Sequence, residues 1–80
     1  MLYQPAARKA LRRMPRTTAL RILDKVNAYA RDPASQANNV SALKGSDAIR
    51  LRVGDWRVIM VETKVIDVIR IAARGGAYRP

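Results

Sequence analysis

The sequence predicts an α+β domain of two layers, in which an N-terminal hairpin of two helices packs on a small antiparallel β-sheet. Three observations carry this expectation. Apolar residues recur at helical spacing from Ala6 to Ala30, the period changes to 2 after Gly45, and Pro and Gly mark the boundaries between the segments. Residues 1–80 are expected to form a single domain, too small to bury a large fraction of its surface.

Leu2 and Tyr3 could form the stub of a strand, too short to define one alone. Pro5 suits the first turn of a helix, where its missing N–H has no partner to lose. Ala6, Ala7, Ala10, Leu11 and Met14 then share a side, with Arg8, Lys9, Arg12 and Arg13 largely on the other, until Pro15 stops the helix. Thr17 or Thr18 can cap a second helix by accepting a free backbone N–H. Its apolar stripe is Ala19, Ile22, Leu23, Val26, Tyr29 and Ala30, and Asp32-Pro33 ends it. Two helices joined by a short turn form an antiparallel pair.

From Asp32 to Gly45 the composition reads as loop, with Val40 and Leu43 as anchors to the core. Ile49-Arg50-Leu51-Arg52-Val53 alternates strictly, as a half-buried strand does. Gly54-Asp55 is a two-residue hairpin turn with Gly first. Trp56 to Val61 reads as a second strand, Glu62-Thr63-Lys64 as a turn, and Val65 to Ala72 as a third strand. The helices must cover one face of this meander, which leaves the other open to water or a ligand.

Charge narrows the function. Sixteen Lys and Arg against six Asp and Glu give +10, and such a load points to a polyanionic or acidic partner. There is no cysteine and no histidine, so thiolate chemistry, disulfides, the commonest general base and the commonest zinc ligands are excluded. No metal or cofactor is expected. No apolar run approaches the ~18 residues that cross a bilayer, and the N-terminus lacks the pattern of a signal peptide, so a cytoplasmic protein without a membrane partner is expected.

Arg50 and Arg52 stand two apart on one strand and so point to the same side. If the turn keeps register, Arg57 joins them on the uncovered face. Three guanidinium groups in one place repel one another unless an anion sits among them. The acids suggest no catalytic pair by spacing, so acyl transfer and glycoside hydrolysis lack candidates. RNA brings its own nucleophile, the 2′-hydroxyl, and asks the protein for orientation, a proton acceptor and charge stabilisation.

The run Leu43-Lys44-Gly45, followed by Ile49-Arg50-Leu51-Arg52-Val53-Gly54-Asp55-Trp56-Arg57-Val58-Ile59, resembles the central signature of the RelE/ParE toxin superfamily. The opening Pro5-Ala6-Ala7-Arg8-Lys9-Ala10-Leu11 is similar to the first helix of these toxins, and Arg74 to Arg79 to their ending. The first strand is shorter than is usual there, and Ala48 stands near a position that often carries lysine. The resemblance implies a toxin of a type II toxin–antitoxin system: a ribosome-dependent endonuclease that cleaves A-site codons of mRNA by 2′-hydroxyl attack on phosphate. On this resemblance Lys44, Arg50 and Arg52 match basic positions that bind RNA, Arg57 the arginine that stabilises the transition state, Arg74 an arginine near the leaving group, and Tyr78 a tyrosine that helps activate the nucleophile or orients a base. The implied partners are a cognate antitoxin, the ribosome and mRNA. The ParE branch of the same superfamily offers the alternative, inhibition of DNA gyrase without cleavage of RNA.

Overall fold

A computed structural model describes residues 1–73 of the chain. Strand β1 (Leu2–Tyr3) leads into helix α1 (Pro5–Arg13) and helix α2 (Arg16–Arg31). A 3₁₀ segment (Pro33–Asn39) follows, then strands β2 (Val40–Ala42), β3 (Ala48–Val53), β4 (Trp56–Glu62) and β5 (Ile66–Ala73). The sheet order is β1-β5-β4-β3-β2. The three strands expected from the sequence form its centre, and the two helices cover one face.

The edges are what the pattern did not give. β1 pairs with β5 in parallel, Leu2 beside Asp67 and Tyr3 beside Val68. β2 pairs antiparallel with β3, Val40 opposite Leu51 and Ser41 opposite Arg50, where a loop was expected. Neither edge strand is long enough to show a period, and both are defined by their partners. The expected threonine cap is also absent. Pro15 takes the N-cap position, α2 starts at Arg16, and no side chain caps it. Ala6 and Ala30, assigned to the apolar stripes, are exposed.

The core lies between helices and sheet. Ile22 and Val26 of α2 meet Leu51, Val58, Met60 and Val68, all wholly buried. Each such side chain contributes roughly 1.5–3 kcal/mol by leaving water. Around them pack Ala7, Met14 and Tyr29, with Tyr3 and Trp56 at the margin. A register shift between Ile59/Met60 and β5 places Val68 opposite Met60 and Arg70 opposite Ile59, which leaves Ile69 as an extra residue. Val68 and Ile71 therefore both reach the core although they are three apart, while Ile69 and Arg70 are exposed.

Side-chain bonds tie the layers at two corners. The Gln4 amide donates to both oxygens of Asp67 at 2.8 and 3.0 Å, and the Gln4 backbone N–H donates to the Val68 carbonyl at 2.8 Å. The Tyr29 hydroxyl donates to Glu62 Oε1 at 3.0 Å, linking α2 to the end of β4. Gly54 carries φ +60°, which an L side chain rarely adopts, so the β3–β4 turn depends on glycine there.

Candidate functional site

The face of the sheet turned away from the helices is divided by register. Leu51 and Val53 point into the core, so Arg50 and Arg52 point out. Val53 pairs with Trp56 across the two-residue turn, which sets Arg52 directly opposite Arg57 and Arg50 opposite Ile59. All three arginines thus emerge on the open face, at the end of the sheet next to the β3–β4 turn.

They line one cavity of about 220 Å³, together with Asn38, Asn39, Val40 and Ser41. Arg50 is half-buried, and its Nε donates to Ser41 Oγ at 3.1 Å. Arg57 is also half-buried and donates from Nη1 to the Trp56 carbonyl at 3.3 Å. Arg52 is exposed. A second cavity of about 480 Å³ continues the first around the turn and is lined by Asn39, Arg52, Gly54, Asp55 and Arg57. Arg52 and Arg57 are a directly opposed like-charge pair, an arrangement that destabilises a hairpin in the absence of a counter-charge. Two forked guanidinium groups with amide and hydroxyl groups beside them match the oxygens of a phosphodiester.

Asn38, Asn39 and Ser41 were not expected at this site. They arrive through the 3₁₀ segment and through β2, whose pairing with β3 brings Ser41 beside Arg50. Lys44 is exposed in the turn after β2 and does not line either cavity. Its neighbour Leu43 donates its backbone N–H to Ala48, four residues along β3 from Arg52 or roughly 13 Å away. The open face beside the arginines is apolar, with Ala48 and Ile59 buried and Leu43, Val61 and Ala72 packed against them. Arg74 and Tyr78 lie outside the described residues. Ala72, just before the described chain ends, pairs with Arg57.

No metal-binding group of three or more acidic, His or Cys side chains occurs among the described residues. No helix among them is long and apolar enough to cross a membrane.

Comparison with known proteins bears on the fold that positions this site. One chain of the RelB–RelE antitoxin–toxin complex from Methanococcus jannaschii superposes with a TM-score of 0.76 at 21% identity, covering 98% of this chain and 95% of that one. A chain of the toxin–antitoxin complex RelBE2 from Mycobacterium tuberculosis superposes with a TM-score of 0.60 at 20% identity, covering 90% of this chain and 93% of that one. At these identities the likeness is one of fold. No curated protein sequence matches. The family described as "ParE toxin of type II toxin-antitoxin system, parDE" matches residues 1–78. With the match spanning nearly the whole sequence, the chain belongs to the ParE toxin family of type II toxin–antitoxin systems, within the RelE/ParE superfamily.

Proposed function

We propose that this toxin is a ribosome-dependent endonuclease that cleaves messenger RNA in the ribosomal A site. The observation that carries the reading is the single cavity shared by Arg50, Arg52 and Arg57 on the face that the helices leave open. In the proposed reaction the 2′-hydroxyl of one nucleotide loses its proton and attacks the adjacent phosphorus. The P–O5′ bond breaks, and the leaving oxygen takes up a proton. The developing negative charge on the phosphorane is met by Arg57, while Arg50 and Arg52 hold the flanking backbone. Fixed donors aimed at such charge typically contribute 10²–10³ in rate each. Arg74 and Tyr78 are proposed, on sequence resemblance, to serve the leaving group and the nucleophile. In that role Tyr78 needs a phenol that ionises more readily than usual, and positive charge is a physical means to that.

The neighbouring folds are chains of toxin–antitoxin complexes, and this supports a cognate antitoxin as the protein partner. The basic, small body suits an acidic segment that covers it.

The test is cleavage of a defined message on purified ribosomes. Arg57→Ala is expected to slow cleavage about 100- to 1,000-fold with an unchanged circular dichroism spectrum. Cleavage at the wild-type rate would refute the role of Arg57. The family match by itself favours a second reading, inhibition of DNA gyrase. A supercoiling assay run beside the cleavage assay separates the two: inhibition of gyrase with intact message would replace the nuclease reading.

A further inference from the structure

The open face carries a fourth arginine, outside the cavity. Arg70 of β5 pairs with Ile59, and Ile59 pairs on its other side with Arg50. Paired residues of neighbouring antiparallel strands share a face. Ile59 packs with Ala48, away from the core that its neighbours Val58 and Met60 help to form. Arg70 therefore emerges on the same face as Arg50, Arg52 and Arg57, and it is exposed. Its direction depends on the bulge at Ile69. Val68 turns into the core opposite Met60, and the extra residue returns Arg70 to the open side.

Register also fixes the spacing. Arg50, Ile59 and Arg70 form one row across the sheet, and Arg52, Arg57 and Ala72 form the next. Arg50 and Arg70 stand two strand spacings apart, about 10 Å between Cα atoms. Arg57 and Arg70 are one strand and two residues apart, about 8 Å. The row beyond, Ala48, Val61 and Asp67, has no cation, and both Asp67 carboxylate oxygens accept from the Gln4 amide. The helical segment from Pro5 to Arg31 carries the larger net charge, +7 from eight cations and one acid. On the sheet, by contrast, four guanidinium groups are gathered in two adjacent rows of one face.

The ground around Arg70 suits a chain that continues from the cavity. On the β2 side the cavity is walled by Asn38, Asn39, Val40 and Ser41. On the β5 side Arg57 faces Ala72, whose methyl group leaves the sheet low. Between Arg50 and Arg70 the floor is Ile59, which is buried and has no polar atom on its side chain to offset either charge. Like charges set this close raise one another's energy, and a polyanion laid across them removes that cost. A phosphate seated among Arg50, Arg52 and Arg57 belongs to a chain, and a chain leaving over β5 brings its next phosphate to Arg70.

We infer that Arg70 holds a second phosphate of the same single-stranded RNA, adjacent to the one in the cavity. The inference rests on the nuclease reading for the choice of RNA, and it assigns Arg70 to holding the substrate rather than to the chemistry.

The test compares Arg70→Gln with Arg70→Lys and, as a net-charge control, with Lys64→Gln, an exposed residue between β4 and β5. Binding of the full chain to a decamer of uridine is measured across a series of KCl concentrations. Arg70→Gln should flatten the plot of log affinity against log salt by about 0.7, the share of one phosphate contact on a single strand, and Arg70→Lys should restore the slope. Lys64→Gln should change it by less than half as much. In message cleavage on ribosomes, Arg70→Gln should raise KM about 10-fold, the loss of one charge-assisted contact, with kcat within about twofold of wild type. Equal flattening by Arg70→Gln and Lys64→Gln overturns the inference, because it shows a net-charge effect. A slope that Arg70→Lys does not restore overturns it as well, as does a fall in kcat at unchanged KM. Tighter binding of poly-glutamate than of the RNA at equal salt overturns it in favour of an acidic protein. If the wild type leaves message intact while the slope still depends on Arg70, the nuclease reading falls and the second phosphate contact stands.

Discussion

At Tyr29 a single hydroxyl joins the two layers. Burial raises its pKa above the ordinary 10.0, and the hydrogen bond and the negative charge of Glu62 raise it further. A raised pKa means that the folded state favours the neutral phenol. This contribution to stability is fully present below about pH 10 and is lost as the pH rises through the folded-state value. Glu62→Gln keeps an acceptor and removes the charge, so Tyr29 should ionise at a lower pH than in the wild type, read from phenolate absorbance. No change would mean that burial alone sets the shift. The arginines of the open face were legible at this scale, because an i,i+2 spacing and a two-residue turn fix their direction. Asn39 and Ser41 were not, since nothing local in Asn38-Asn39-Val40-Ser41 announces a pairing with Arg50.

Among the elements, β3 and β4 carry the structure: each has neighbours on both edges and faces the helices with its buried side chains. Leu51 is wholly buried at the centre of β3, against helical residues such as Ile22 and Val26. Leu51→Ala is expected to destabilise the fold by about 2–5 kcal/mol. A protein of this size has roughly 4–12 kcal/mol in total, so the variant should lose much of its cooperative urea transition. A midpoint within error of wild type would show that the core sits elsewhere. Both helices and β3 could be read from period, and β4 and β5 from apolar runs bounded by turn residues. β1, β2 and the 3₁₀ segment could not, because two or three residues contain no period and their conformation is imposed by a neighbour. The bulge at Ile69 was equally hidden, since Val65 to Ala72 is apolar enough to fit more than one register.

For the molecule as a whole, the charge sets the scale of behaviour. Its extents are 29 × 27 × 22 Å, while the screening length is about 30 Å at 0.01 M salt and about 8 Å at 0.15 M. At low salt every cation therefore senses every other across a body of net charge +10. The melting temperature is expected to rise by several degrees between these two conditions, and a flat or falling profile would show that local pairing has already neutralised the repulsion. The total charge was plain in the sequence; its gathering on the helices rather than on the open sheet face was not emphasised by any single motif. The parallel pairing of β1 with β5 has a further consequence, for synthesis. The first strand waits for its partner, some sixty-five residues later, so the sheet closes only once β5 has been made. Until β5 emerges the paired helices have only part of a floor to rest on.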